Sequence, residues 1–219
     1  MTQREFYENL FGQGLHVPWD DAPGKLVLLS WLSAISKSDV SSLVDVGCGS
    51  GYFTTACSTA LGARVALGVD ISYSAAALAR DAYPSTGFLV GDACTLPFAA
   101  GCFDIVVSYG VFERVSGPSR ALAEAGRLLK VGGLFAGMMP TIGHYRDDRS
   151  DAGWYEDLND PPQMQWNLPR AAWESWFADS GISLEEVDVA RDFGALRPGN
   201  FYLGFKSGNG GDFGHHERS

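Results

Sequence analysis

Between positions 44 and 51 the chain reads Val44-Asp45-Val46-Gly47-Cys48-Gly49-Ser50-Gly51, an apolar run that ends in three alternate glycines. Residues 43–47 have the character of a buried strand and residues 52–61 that of the helix after it. Glycine at this junction lets the backbone turn tightly and lets a ligand press against it. The helix beyond then aims its N–H groups at that ligand. A chain with such a junction needs the rest of a parallel sheet around it.

The following residues supply that sheet. Strands are expected at 64–70, 87–90, 103–108 and 134–139, alternating with helices at 73–82 and 119–130. In the second helix Ala121, Leu122, Ala125, Leu128 and Leu129 share one face, with Pro118 at the start and Gly132-Gly133 past the end. Trp173, Trp176 and Phe177 have the spacing of a helix packed on the core, and strands at 183–189 and 201–206 close the pattern. The fold class expected is α/β: a Rossmann-like, doubly wound sheet of about seven strands, mostly parallel with an antiparallel last strand. An N-terminal helical arm precedes it, carrying Phe6, Tyr7, Leu10 and Phe11 on one helix and residues 26–35 on another.

A length of 219 residues suits one such domain. Its expected extent is 1–206, with 1–40 as arm or lid and 140–168 as a polar, acidic and aromatic insert of no clear period. An insert that long is usually functional or disordered. The Gly-rich end, 207–219, is expected to be disordered.

Composition narrows the function. The formal net charge is −10, and Lys and Arg are scattered singly, so a nucleic-acid partner is not expected. No apolar run approaches the roughly 20 residues of a membrane-spanning helix. The first ten residues lack the apolar core of a secretory signal. A cytoplasmic protein without a membrane partner is the expectation. Cys48, Cys57, Cys94 and Cys102 form no C-x-x-C pair, so free thiols and no metal site are expected.

Dinucleotide folds space their glycines G-x-G-x-x-G. Here the spacing is G-x-G-x-G, with Asp45 two residues ahead of the first glycine. A carboxylate so placed repels a pyrophosphate and favours a cationic ligand. The stretch from 43 to 139 resembles the class I S-adenosylmethionine-dependent methyltransferases, especially the branch that modifies small molecules. Their first motif is an acidic residue followed by G-x-G-x-G, as in VDVGCGSG.

The resemblance implies that Gly47, Cys48, Gly49 and Gly51 hold the methionine portion of S-adenosylmethionine and that Asp45 orients its ammonium group. Asp70, with Ile71 beside it, would take the ribose hydroxyls, a feature shared with dinucleotide folds. Asp92 would take the adenine amino group and the Ala93 N–H a ring nitrogen, and Ser108 completes the cofactor set. The run 91–108, GDACTLPFAAGCFDIVVS, resembles the family's G-D-A-x-x-L-P-F-x-x-x-x-F-D-x-V-x-S. Arg114 follows Glu113 where relatives often carry histidine, and Arg127-Leu128-Leu129-Lys130-Val131-Gly132-Gly133 resembles a structural turn of the family.

Methyl transfer from a sulfonium is an in-line displacement, so positioning and exclusion of water can supply much of the rate. A general base is needed only where the acceptor must lose a proton. His144 is the candidate base, with Tyr109 a second catalytic candidate at the end of the fourth strand. Tyr7, His16, Tyr109, Tyr145, Trp154 and Trp166 are the expected substrate-side residues. Together with Asp147, Asp148, Asp151, Glu156 and Asp157 they suit a planar or cationic small molecule. The reaction expected is methyl transfer to an O or N atom of a small molecule, such as a specialised metabolite. A dinucleotide-binding oxidoreductase and a non-catalytic cofactor-binding protein are the other readings.

Overall fold

The structure is a computed structural model that describes residues 2–14, 23–35, 40–141, 153–156, 164–189 and 200–208. Helices α1 (Gln3–Gly12) and α2 (Pro23–Ile35) come first. Then follow β1 (Ser42–Val46), α3 (Tyr52–Leu61), β2 (Val65–Asp70), α4 (Tyr73–Ala82), β3 (Gly87–Val90) and β4 (Phe103–Tyr109). A 3-10 turn (Phe112–Arg114) leads to α5 (Pro118–Leu128) and β5 (Leu129–Met139). The remainder is β6 (Gly153–Glu156), β7 (Met164–Asn167), α6 (Arg170–Asp179), β8 (Ile182–Val189) and β9 (Asn200–Lys206).

Seven strands form one sheet in the order β3-β2-β1-β4-β5-β9-β8. Strands β1 to β5 pair in parallel, and β9 runs antiparallel to both neighbours, as expected of the last strand. The chain winds outward from β1 through β2 to β3, then returns to place β4 on the other side of β1. That reversal opens a crevice beyond the C-terminal ends of β1 and β4, where α/β sheets bind ligands.

Strand β1 is buried almost throughout, because helices cover both sheet faces. Alternation along it sends Val44 and Val46 into a core with Phe112, Phe135, Trp173, Phe177 and Tyr202. Leu43 goes into the opposite core with Leu28, Leu32, Phe53, Ile105 and Phe201. Trp173 and Phe177 are fully buried, and the Trp173 indole N–H donates to the Pro140 carbonyl at 3.1 Å.

Two elements depart from expectation. Strand β5 starts at Leu129, whereas the helix before it was expected to run to residue 130. Leu129 pairs with Phe103, then the register shifts, with Gly132 at φ 77° and Ile105 pairing with Leu134. The Lys130 ammonium reaches Asp104 Oδ1 at 2.7 Å and secures this corner. The insert also holds a hairpin, β6 with β7, in which Trp154 pairs with Trp166 and Tyr155 with Gln165. No alternation announced it, since aromatic and polar residues share both strands.

His16, His144, Tyr145, Asp147, Asp148, Asp151 and Asp157 lie outside the described residues, as does the chain from 209 onward. Ser207 is described, and its N–H donates to the Gly181 carbonyl at 2.9 Å. No described helix is long and apolar enough to cross a membrane.

The arm is fastened by polar contacts. Thr2 and Glu5 form a capping box on α1, with the Glu5 N–H donating to Thr2 Oγ1 at 3.2 Å. Glu8 accepts from the Ser72 hydroxyl at 2.9 Å and the Ser74 N–H at 3.2 Å, at the start of α4. Gln3 donates to the Arg114 carbonyl. Helix α1 thereby lies across the C-terminal edge of the sheet.

Candidate active site

The cleft under α1 has about 1090 Å³ of empty space, counting its open mouth. Loop residues 47–50, Asp70, Ile71, Asp92 and Ala93 form its floor, and Tyr7, Leu10 and Phe11 form its roof. Lys25, Tyr109, Val111 and Arg114 complete the wall. Among the described residues no group of three or more His, Cys, Asp or Glu could hold a metal ion.

The loop has little freedom. Gly47, Gly49 and Gly51 have φ of 81°, 53° and 84°, in the left-handed region that side chains disfavour. The Gly47 and Cys48 N–H groups both donate to the Val69 carbonyl, at 2.7 and 3.1 Å, which ties the loop to β2. A methyl on Gly51 would come within 2.6 Å of the Phe88 ring. The loop is therefore sandwiched between the β2–β3 side and the turn after β4.

Asp70 is the organising group. Its Oδ2 accepts from the Gly49 N–H and its Oδ1 from the Ser72 N–H, both at 2.9 Å. Burial pushes this carboxyl up, opposed by those N–H groups and that of Ile71. A carboxylate has about four acceptor sites, so it can still receive hydroxyls from the cleft. Asp92 is exposed at the cleft edge and accepts from the Cys94 N–H at 2.8 Å, while Ala93 is buried beside it. Behind this loop Arg127 donates to the Phe98 and Leu96 carbonyls at 2.9 and 3.3 Å, and Glu124 accepts from the Leu96 N–H. That gives the Arg127 turn its structural role.

Four residues expected to contact ligand do not line the cleft. Asp45 is 2 % exposed and accepts the Thr54 hydroxyl at 2.7 Å, because strand alternation turns it toward α3. Gly51 is the N-cap of α3. The Ser108 hydroxyl donates to the Val46 carbonyl at 2.9 Å and joins β4 to β1 where the topology reverses. Trp166 sits behind the 3-10 turn, its indole N–H on the Val115 carbonyl at 2.9 Å. Of Trp154, which pairs with Trp166 in the hairpin, the backbone alone is described.

Tyr7 and Tyr109 do line the cleft. Burial pushes Tyr7 up to about 12, with Glu113 and Asp70 adding to the rise and the hydrogen-bonded Arg114 opposing it. Burial and then Glu113 push Tyr109 up to about 12 as well. Both phenols are thus protonated at neutral pH and offer hydrogen bonds, not a base. Gln3, Phe11, Lys25, Val111 and Arg114 enter the site without having been singled out as ligand contacts.

The family described as "Methyltransferase domain" matches residues 44–137, the segment that builds the loop, the three aspartates and the central strands. Residues 44–137 therefore match a methyltransferase domain. The glycine cradle with Asp70 and Asp92 fits S-adenosylmethionine. The methyltransferase domain is 36% identical over 97 residues to a malonyl-[acyl-carrier protein] O-methyltransferase of Geobacter sulfurreducens, covering 43% of this chain and 36% of that protein. It is 35% identical over 129 residues to a 2-phytyl-1,4-naphtoquinone methyltransferase of Thermosynechococcus vestitus, covering 56% of this chain and 53% of that one. The chain spans at most about half the length of these relatives. In fold it resembles a chain of the solved complex of the Haloferax volcanii Trm112 methyltransferase activator with a methyltransferase, at TM-score 0.74 and 22% identity. That likeness covers 92% of this chain and 98% of the other.

The methyltransferase domain pays in stability for its buried acid. Burial pushes Asp45 up to about 6, against the Thr54 hydroxyl and the charge of Lys25, with Asp70 adding to the rise. An unfolded aspartate titrates near 3.9. Between those values the folded chain binds more protons than the unfolded one, so this contribution to stability falls as pH rises. The loss amounts to about 3 kcal/mol by neutral pH. Asp45→Asn keeps an acceptor for Thr54 and removes the charge. It is expected to be more stable than the parent by about 1–3 kcal/mol at pH 7.5, with the gap closing toward pH 4. Urea unfolding of both proteins across that range checks this. A gap independent of pH would contradict it.

Proposed function

We propose that this protein transfers the methyl group of S-adenosylmethionine to an O or N atom of a small molecule, in the cytoplasm, as a step in specialised metabolism. The observation that carries the proposal is the roofed cleft: Asp70 and Asp92 stand on its floor, where they suit a nucleoside, and the facing wall is aromatic and apolar. Tyr7, Leu10, Phe11, Tyr109, Val111 and Val115 supply that wall. They suit a flat, largely apolar acceptor, and one relative is a 2-phytyl-1,4-naphtoquinone methyltransferase.

The cofactor brings a methyl on a sulfonium, which leaves as a neutral thioether. The chain's part is to hold the acceptor in line and to keep water out, which the α1 roof favours. Tyr7 and Tyr109 donate hydrogen bonds to the acceptor. In this reading His144 takes the proton of a hydroxyl acceptor, and His16, Tyr145 and Trp154 belong to the acceptor side, with Trp166 supporting it from behind.

The test is transfer of label from methyl-tritiated S-adenosylmethionine to a panel of phenols, hydroxyquinones and aromatic amines, with transfer RNA and a protein mixture alongside. Label is expected in one class of small molecule. Label in RNA or protein alone would refute the acceptor class. Binding of a nicotinamide cofactor in place of S-adenosylhomocysteine would favour an oxidoreductase.

A further inference from the structure

The sheet order places the cleft groups along a line. Asp92 and Ala93 follow β3, Asp70 and Ile71 end β2, loop residues 47–50 end β1, and Tyr109 ends β4. A nucleoside with its base at 92–93 and its ribose on Asp70 must extend its amino-acid tail over β1 and β4. Lys25 stands at that end. Its Nζ lies 5.9 Å from the ring centre of Phe53, in the first turn of α3, and 5.8 Å from that of Tyr109. The first turn of α2 is pressed onto this spot, since a methyl on Gly24 would come within 2.1 Å of the Tyr109 hydroxyl.

The tail carries an ammonium and a carboxylate. The ammonium is served by the negative potential of Asp45 and Asp70, whereas the carboxylate needs a cation in the same place. Two cations line the cleft among the described residues, Lys25 and Arg114. Arg114 is held against the 110–115 turn: its Nε donates to the Gly110 carbonyl at 3.1 Å, Glu113 lies 3.4 Å away, and Tyr7 is bonded to it. Lys25 lies over the loop, near enough to hold the Asp45 carboxyl down.

We infer that Lys25 binds the carboxylate of the cofactor's methionine portion, an assignment that rests on the cleft being the S-adenosylmethionine site. It makes the arm a part of cofactor recognition. Affinity for the donor then depends on α2 as well as on the sheet.

Calorimetry with two ligands tests this on the full chain: S-adenosylhomocysteine and its decarboxylated analogue, which lacks the carboxylate and keeps the ammonium. The wild type is expected to bind the analogue roughly ten- to a hundredfold more weakly, the worth of one charge-assisted hydrogen bond. Lys25→Met should bind S-adenosylhomocysteine as weakly as the wild type binds the analogue, with no further loss for the analogue itself. Lys25→Arg should restore most of the difference. Equal losses for both ligands in Lys25→Met, or equal affinity of the wild type for both, would overturn the carboxylate assignment while leaving the cofactor site standing. Failure of the wild type to bind either ligand would overturn the site itself, and Lys25 with it.

Discussion

Asp70→Ala is expected to bind S-adenosylhomocysteine at least about a hundredfold more weakly than the parent, because two charge-assisted hydrogen bonds to ribose hydroxyls are lost together. The same change also releases the Gly49 and Ser72 N–H groups that the carboxylate now holds at 2.9 Å. Loop and ligand are therefore organised by one side chain. Stability alone should not follow affinity. The Asp70 carboxyl is pushed up by burial, so removing it relieves a desolvation cost while losing two backbone contacts. The ligand-free variant should unfold close to the parent. A saturating ligand at about 100 times Kd stabilises a protein by about 2.7 kcal/mol, and that shift should fall to about 0.4 kcal/mol or less in the variant at the same concentration. Asp70→Asn, which keeps one acceptor oxygen and loses the charge, should fall between. An unchanged affinity in Asp70→Ala would mean that the cleft does not hold the ribose.

The sheet was legible because its strands are short apolar runs between turn residues, and the floor of the cleft because its glycines and aspartates fall at strand ends. Side-chain direction was harder to read. Asp45 adjoins the loop in sequence, yet the two-residue period of β1 turns it to the α3 side, where Thr54 meets it. Ser108 is redirected in the same way, into the β1–β4 seam. The arm was legible as a helix with Phe6, Tyr7, Leu10 and Phe11 on one face, but the contacts that fasten it left no local signal. Glu8 meets Ser72 and Ser74 across more than 60 residues of chain, and those contacts bring Tyr7 and Phe11 over the cleft. Lys25 gives no pattern beyond an ordinary helix, since its role follows from where α2 packs. Trp166 was legible as an aromatic residue, but not as one that braces the turn carrying Arg114 from the far side.

Gly47→Ala should cost the fold about 2–5 kcal/mol, through two separable causes. At φ 81° a side chain meets its own carbonyl, at roughly 1–2 kcal/mol. The new methyl would also lie 2.2 Å from Val111 Cγ2 and 2.7 Å from its Cγ1, contacts that force one side to move. Valine is stiff about χ1, so the strain passes into the 110–114 turn and costs about 1–3 kcal/mol more. For a chain of this size the thermal midpoint should fall by roughly 10 °C. Cofactor affinity should fall as well, since Tyr109 and Arg114 flank that turn on the cleft wall. Val111→Ala removes the clashing methyls and none of the backbone strain. The double variant should therefore be less destabilised than the sum of the two single changes, by about 1–3 kcal/mol, with the left-handed penalty remaining. Strict additivity in urea unfolding would place Val111 away from the loop and leave φ as the whole reason for glycine at 47. Coupling of the expected sign would show that the turn after β4 closes on the loop directly, so that the floor and the wall of the cleft move as one.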